Sequence, residues 1–137
     1  MKKNNKFLIV ASNFYPEITE ALIKGATNQI KKLNHSYEII YVTGSLEIPT
    51  KISIQLKKKK YDAVIALGCI IRGKTDHYEF IGKAITNSLL RISIDKLVPV
   101  SNAILMCNSM RQAKIRSSKK INRAKEAVNA AISVLEK

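Results

Sequence analysis

The sequence predicts an α/β fold, with helices on both faces of a small four-stranded parallel sheet, and three observations point to it. Short β-branched runs alternate with longer segments of helical spacing. The short runs are apolar almost throughout, and no composition break, repeat or linker interrupts the chain. Near-continuous apolar strands are those buried on both faces, as parallel strands are. The strand–helix alternation implies right-handed crossovers with helices on either side. At 137 residues the chain has the size of one domain, expected over 1–137, and buries roughly two-thirds of its unfolded surface without needing disulfides or a metal.

The elements follow in order. Phe7 to Ala11 reads as the first strand. Ile18, Ala21, Leu22, Gly25, Ala26, Ile30 and Leu33 then fall on one helical face, with Pro16 near the first turn, where its missing N–H costs nothing. Tyr37 to Val42 is a second strand, followed by a shorter helix marked by Ile48, Ile52 and Leu56. Ala63 to Leu67 is the third strand. Tyr78, Ile81, Ile85, Leu89 and Ile92 form the next stripe, with Thr75 and Asp76 as cap candidates before it. Val98 to Leu105 is the fourth strand, and two helical segments close the chain, the last marked by Ala124, Ala127, Val128, Ala131 and Leu135.

Composition narrows the class. Hydrophobic residues at 46% and charged residues at 25% are a globular balance. No apolar run approaches the ~20 residues of a membrane span. Met1 to Asn5 leads into a short apolar stretch that meets polar Ser12 and Asn13 without a small-residue cleavage pattern. That stretch is a strand rather than a signal peptide, and a cytoplasmic location is expected. Cys69 and Cys107 show neither CxxC nor metal-type spacing, so two buried free thiols are expected and a disulfide is the alternative. The formal charge is +14, a field that attracts nucleic acid, acidic lipid or phosphorylated small molecules. Lys57 through Lys60 reads as a solvated helix end. Arg111, Lys114, Arg116, Lys119, Lys120, Arg123 and Lys125 stand without one acid between them. They fit a phosphate site, an RNA face or a wet helical surface.

In sheets of this kind ligands bind beyond the carboxyl ends of the strands. Those ends carry Ser12 to Tyr15, Thr43 to Glu47, Gly68 to His77, and Met106 to Asn108. All four loops are expected on the same edge of the sheet, so a pocket there would hold an aromatic, a carboxylate, an imidazole and cations. Gly68 and Gly73 allow tight backbone geometry, and the helix after Thr75 and Asp76 presents free N–H groups to an anion. His77, in its first turn, is a proton-transfer candidate because a helix N-terminus disfavours imidazolium; the alternative is a surface or capping histidine. His35 is given no role. For Phe14 the alternative is a core residue, and for Glu47 a favourable charge in a helix first turn. Gly73-Lys74-Thr75 lacks the glycine spacing of a P-loop, and HExxH, GxSxG, GxGxxG and EF-hand spacings are missing from the sequence.

The run from Tyr61 to Tyr78, with Gly68-Cys69-Ile70-Ile71-Arg72-Gly73-Lys74-Thr75-Asp76-His77 at its centre, closely resembles the signature of the lumazine synthase family. Three further segments agree in order and spacing: Ser12-Asn13-Phe14 with Gly25-Ala26, Gly44-Ser45-Leu46-Glu47-Ile48-Pro49, and Val98-Pro99-Val100 with Gln112-Ala113 and Arg116. The resemblance implies a flavodoxin-like three-layer α/β/α sandwich and a condensation without cofactor or metal. It joins 5-amino-6-(D-ribitylamino)uracil to 3,4-dihydroxy-2-butanone 4-phosphate, releases phosphate and water, and yields 6,7-dimethyl-8-ribityllumazine, the penultimate step to riboflavin. Carried over by position, it implies His77 as proton shuttle, Phe14 stacked on the pyrimidine, and Glu47 on the ribityl chain, flanked by Ser45 and Leu46. Main chain from Cys69 through Ile70 to Ile71 would read the pyrimidine edge, and Lys74, Thr75 and Arg116 would hold the phosphate. It also implies a homopentamer or its multiples, often an icosahedral shell, with sites at subunit interfaces.

The sequence departs from the family's pattern in places. Thr43 stands where Pro is usual, Asn13 where Arg is frequent, and Asn102 where an aromatic is common, so that Asn102 is a candidate for bonding the uracil. A Gly-rich Asn-Lys-Gly stretch becomes Ile121-Asn122-Arg123-Ala124, one residue shorter. Arg123 is the candidate for the family lysine, and an altered last helix is one expectation. Two rival readings accompany the enzyme: a basic RNA-binding module, whose motif-type aromatics the basic segment lacks, and a shell-forming homologue with weakened catalysis. No membrane partner is expected.

Overall fold

The computed structural model describes residues 4–74 and 77–136. Its strands are β1 (Lys6–Ser12), β2 (Ser36–Val42), β3 (Ala63–Ile71) and β4 (Val100–Cys107), all parallel and ordered β2-β1-β3-β4. Its helices are α1 (Pro16–Lys32), α2 (Ile48–Lys58), α3 (Tyr78–Lys96), α4 (Met110–Arg116) and α5 (Arg123–Leu135), with a 3-10 turn at Ser45–Glu47 before α2. The expected α/β/α layering with a four-stranded parallel sheet is observed.

The period-two alternation of strand side chains divides the core into two layers. Phe7, Ile9, Ala11, Ile65, Leu67 and Leu105 pack against Ile18, Leu22, Ala26 and Ile30 of α1 and Val128 and Ala131 of α5. Leu8, Val10, Val64, Ala66 and Ile104 pack against Ile48 and Ile52 of α2 and Ile85 and Leu89 of α3. All nine residues of β3 are buried.

Two strand ends differ from expectation. β3 runs four residues past Leu67, because Gly68, Cys69, Ile70 and Ile71 pair with Ile104 through Cys107. Gly68 therefore marks a close approach inside a strand and not a turn. β4 is shifted two residues along, to Val100–Cys107; Pro99 has no N–H to give to a ladder, and it serves as an acceptor for Val64 N at 2.9 Å. Ser93 closes the turn between α3 and β4, its hydroxyl donating to Val98 O and accepting from Val100 N.

The last helix is intact over 13 residues. Asn122, 3% exposed, caps it by accepting from Ala124 N and Lys125 N, while its Nδ2 donates to Ala21 O and Ser117 O. Gly25 makes room for that amide, which a Cβ there would overlap. The shortened stretch thus ends in a buried cap that ties α5 to α1.

Lys57 to Lys60 lies at the end of the sheet remote from the strands' carboxyl ends, exposed at the C-terminus of α2. Lys59 Nζ donates to Glu38 at 2.8 Å, and Tyr61 OH, which accepts from Gln55, also donates to Glu38. These hydrogen bonds from Lys59 and Tyr61 hold the Glu38 carboxyl below its ordinary value of 4.5. A carboxyl whose value is lower folded than unfolded stabilises the fold above the unfolded value and loses that effect as pH falls through the folded one. Denaturant midpoints of the wild type should therefore fall as pH drops below about 4.5, and Glu38→Gln should flatten that part of the acid limb.

Candidate active site

A cavity of about 200 Å³ opens over the carboxyl ends of β1 and β3. Chain order reverses between these strands, since β2 lies outside β1 on one side and β3 and β4 on the other. This is the switch point at which open α/β sheets bind ligands. Phe14 and Tyr15 enter from the loop after β1, Gly44 to Glu47 from the turn after β2, Cys69, Ile70, Ile71 and Lys74 from β3 and its loop, and Ile81 from α3. Phe14 is 67% exposed, so it is a cavity wall and not a core residue. Glu47 is exposed as well, its Oε1 close over Gly44, where a Cβ would come within 2.8 Å of it.

Short polar contacts fix the walls. Ser12 Oγ lies 3.2 Å from Ser45 Oγ, Asn13 N donates to Val42 O at 3.0 Å, and Thr19 Oγ1 donates to Ser12 O at 2.6 Å. A Cβ on Gly68 would come within 2.6 Å of Ser12 Oγ and 2.8 Å of Ser45 Oγ. Glycine here lets the two hydroxyls meet over the strand. Because the β1–β3 ladder ends at Ala11 opposite Leu67, β3 overruns β1. From Gly68 to Ile71 its main chain is paired on the β4 side, and the side toward β1 faces the cavity.

The loop after β3 turns at Gly73, whose φ of +87° favours glycine, and Lys74 N returns to Ile71 O at 3.2 Å. Arg72 braces it: Nε donates to Asn108 Oδ1, Nη2 to Glu79 Oε2, and the guanidinium lies 4.4 Å from the Tyr78 ring centroid. Lys74 is exposed. His77 is exposed at the N-cap position of α3, just before the first helical residue, and its side chain does not cap the helix. Thr75, expected on the phosphate, and Asp76, expected as a cap, lie outside the described residues.

Cys69 and Cys107 are free and buried, as expected. Burial, with Cys107 beside it, pushes the Cys69 thiol up to about 12. Although Cys69 borders the cavity, alkylation by iodoacetamide at pH 8 should run roughly 10²-fold or more slower than for a free thiol, because so little thiolate is present. Mass-spectrometric time courses with and without denaturant measure this directly.

Asn102, Arg116 and Arg123 do not join this cavity. They line a second one of about 540 Å³, with Met106, Glu126, Ala127 and Ala130, between β4, α4 and α5. All four strands are parallel, so their carboxyl ends do lie on one edge of the sheet as expected. The single pocket expected there is two cavities within one copy, because β4 is the outermost strand and the groups on it and after it are separated from the β1 loop by β3. Arg116 is oriented by donation from Nη1 to Met106 O at 3.0 Å. Asn102 has an engaged side chain: Oδ1 accepts from Ile104 N at 2.9 Å and Nδ2 donates to Thr86 Oγ1 at 3.3 Å.

Tyr15 and Ile81 on the first cavity, and Glu126 on the second, were not foreseen as site residues. Tyr15 stood in a strand-end loop and was there to be chosen; Ile81 and Glu126 sit in helices whose rotation only packing decides.

The chain contains one group of residues that could bind a planar molecule edge-on and another that could bind an anion. Residues 4–137 match the family model described as 6,7-dimethyl-8-ribityllumazine synthase. A protein of that name from Nitrobacter hamburgensis is 37% identical over 134 residues, covering 93% of this chain and 82% of the relative. One from Zymomonas mobilis is 37% identical over 130 residues, covering 94% and 93%. One from Wigglesworthia glossinidia brevipalpis is 36% identical over 138 residues, covering 98% and 88%. With the family's model matched along nearly the whole chain and the expected sheet beneath the matched motifs, this protein belongs to the 6,7-dimethyl-8-ribityllumazine synthase family.

Proposed function

We propose that the protein condenses 5-amino-6-(D-ribitylamino)uracil with 3,4-dihydroxy-2-butanone 4-phosphate to 6,7-dimethyl-8-ribityllumazine, releasing phosphate and water. Beyond family membership, one observation carries the reading: the unpaired edge of β3 at the switch point, set between exposed Phe14 and Glu47. A pyrimidine stacked on Phe14 would meet main-chain N–H and C=O groups from Cys69 to Ile71, which match its alternating carbonyls and N–H groups. The ribityl chain would then run past Ser45 and Leu46 to Glu47.

The chemistry asks for proton movement and an anion site. The 5-amino group attacks the ketone and the carbinolamine loses water to give an imine. Phosphate is then eliminated, and the ribityl-bearing nitrogen closes the ring with loss of a second water. Each step moves a proton near neutral pH, and one imidazole, His77, would serve them, a contribution of roughly 10²–10⁴-fold. Lys74, Thr75 and Arg116 would hold the departing phosphate, Arg116 suited to it by its planar fork. Arg123, the candidate for the family lysine, would border that anion, and Asn102 would hydrogen-bond the uracil. Holding both substrates in register supplies much of the remaining rate.

A complete site in this reading needs two copies of the chain. The first cavity, about 200 Å³, is smaller than the roughly 300–1,000 Å³ of ordinary ligand sites, and Arg116 and Arg123 stand in the other cavity. The outer face of α3 leaves Phe80, Leu90 and Ile94 exposed, with Leu97 just past its end, an apolar stripe that a neighbouring copy would cover. A homopentamer or a multiple of it, with each site built from the first cavity of one copy and the second of the next, accounts for both features. Among the described residues no helix is long and apolar enough to cross a membrane, and the free thiols fit a reducing cytoplasm.

Incubating purified protein with the two substrates and following the fluorescence of the lumazine tests the reaction. Product must form well above the uncatalysed rate; a rate equal to the uncatalysed one removes the enzymatic reading.

A further inference from the structure

We propose that Tyr15 is a further substrate-binding residue, its phenol hydroxyl hydrogen-bonding the carbonyl-bearing edge of the planar amine substrate in the first cavity. The inference rests on the function proposed above and assigns a specificity element to the same site.

Tyr15 borders the cavity and is half-buried, its ring packed against the core layer that contains Cys69. The ring centroid lies 5.0 Å from that of Phe14, with the planes at 87°. A heterocycle stacked parallel to Phe14 would therefore stand perpendicular to the Tyr15 ring. Tyr15 then adds nothing by stacking, and its oxygen is the group left to act.

That oxygen makes no hydrogen bond to any described residue, whereas Tyr41 OH donates to Glu20 and Tyr61 OH bonds both Gln55 and Glu38. Tyrosine hydroxyls that leave solvent usually take a partner. No described buried side-chain nitrogen or oxygen lacks one, so the Tyr15 oxygen is not fully buried, and the residue that carries it borders the cavity. Burial, and to a lesser degree the nearby Cys69, raise the phenol above its ordinary value of 10.0. It stays protonated at neutral pH and donates. Cys69 belongs to the stretch of β3 whose main chain faces the cavity. Tyr15 thus extends that row of donors and acceptors by one side-chain donor, which suits a ring carbonyl better than an aliphatic hydroxyl of the sugar chain.

A purely structural tyrosine would not need this oxygen, so Tyr15→Phe removes only the proposed interaction and keeps the ring. In the active protein, Tyr15→Phe should raise KM for ribitylaminouracil roughly three- to tenfold, the worth of one neutral hydrogen bond. The kcat should stay within about twofold and KM for the butanone phosphate should be unchanged, as expected when an interaction common to ground and transition states is removed. Equilibrium dialysis with ribitylaminouracil alone should show the same loss of affinity. An analogue with the ring carbonyl oxygen replaced by sulfur, a poor acceptor, should bind wild type and Tyr15→Phe alike. An unchanged affinity for ribitylaminouracil in Tyr15→Phe, or an equal rise in both KM values, would overturn the proposal. Failure of the reaction itself would appear differently, as wild type without turnover, and dialysis would still read the Tyr15 contact.

Discussion

His77→Ala should lower kcat roughly 10²-fold, within the range for loss of a general acid–base group, and leave the fold as stable as the wild type. The two halves of this expectation come from different observations. On the chemical side, each step of the proposed reaction from carbinolamine to ring closure needs a proton delivered or removed, and His77 at the N-cap position of α3 is the imidazole proposed to do it. On the structural side, His77 is exposed and its side chain is not the cap of α3. Its backbone carbonyl, which accepts from Ile81 N at 2.8 Å, survives the substitution. The first turn of α3 should therefore persist. Steady-state kinetics and a thermal melt check both halves, and a kcat within twofold of wild type would remove the proton-shuttle role. His77→Gln retains hydrogen bonding without titration. If the role is proton transfer, it should be nearly as slow as His77→Ala.

Asn122→Ala should destabilise the protein by about 3 kcal/mol, from a lost cap and lost hydrogen bonds to two carbonyls in a buried place at about 1 kcal/mol each. For a chain of this length that corresponds to a melting temperature lower by about 10 °C. The amide satisfies two N–H groups at the start of α5 and two carbonyls, one of them on α1. No smaller side chain does all four. Gly25→Ala should be destabilising by a different route, since its Cβ would overlap the same amide. The double variant should be less destabilised than the sum of the singles, because removing Asn122 also removes the overlap. Additive effects in urea unfolding would show that the two residues are not coupled. Activity should fall more than stability alone explains, because Asn122 closes the segment that carries Arg116 and Arg123 on either side.

The strand cores and the buried helix stripes were legible because both periodicities are local. Phe7 to Ala11 and Ile85 and Leu89 announce their faces by spacing alone. The continuation of β3 through Ile71 was not legible. Gly68 reads as punctuation in a sequence, and its actual reason, the approach of the Ser12 and Ser45 hydroxyls, is a contact between three separate segments. The cap role of Asn122 was not legible for a similar cause: beside a family motif it marks only a shortened stretch, while its packing against Gly25 involves a residue nearly a hundred positions earlier. The helix start at Met110 did carry a local signal, Ser109 three residues before Gln112. Ser109 Oγ accepts from Gln112 N, and Gln112 Oε1 accepts from Asn108 N, close to a capping box.

The candidate site was legible as a set of residues and not as a geometry. Strand ends can be read from sequence, which placed Phe14, Glu47 and Lys74 together. Whether the groups on and after β4 share a cavity with the β1 loop depends on strand order. That order sends Arg116 and Arg123 to a second cavity. Tyr15 shows the same limit, since only the positions of Phe14 and Cys69 distinguish a cavity phenol from a core one.

In the proposed assembly the first cavity of one copy and the second cavity of another make a single working site. Co-folding two variants tests it most directly: His77→Ala, which spoils the first half, and Arg116→Ala, which spoils the second. Each alone should be nearly inactive. Mixed in equal amounts and assembled at random, about one boundary in four joins two unspoiled halves, so activity should recover toward roughly a quarter of wild type. A mixture no more active than the average of the two separate variants would contradict the claim.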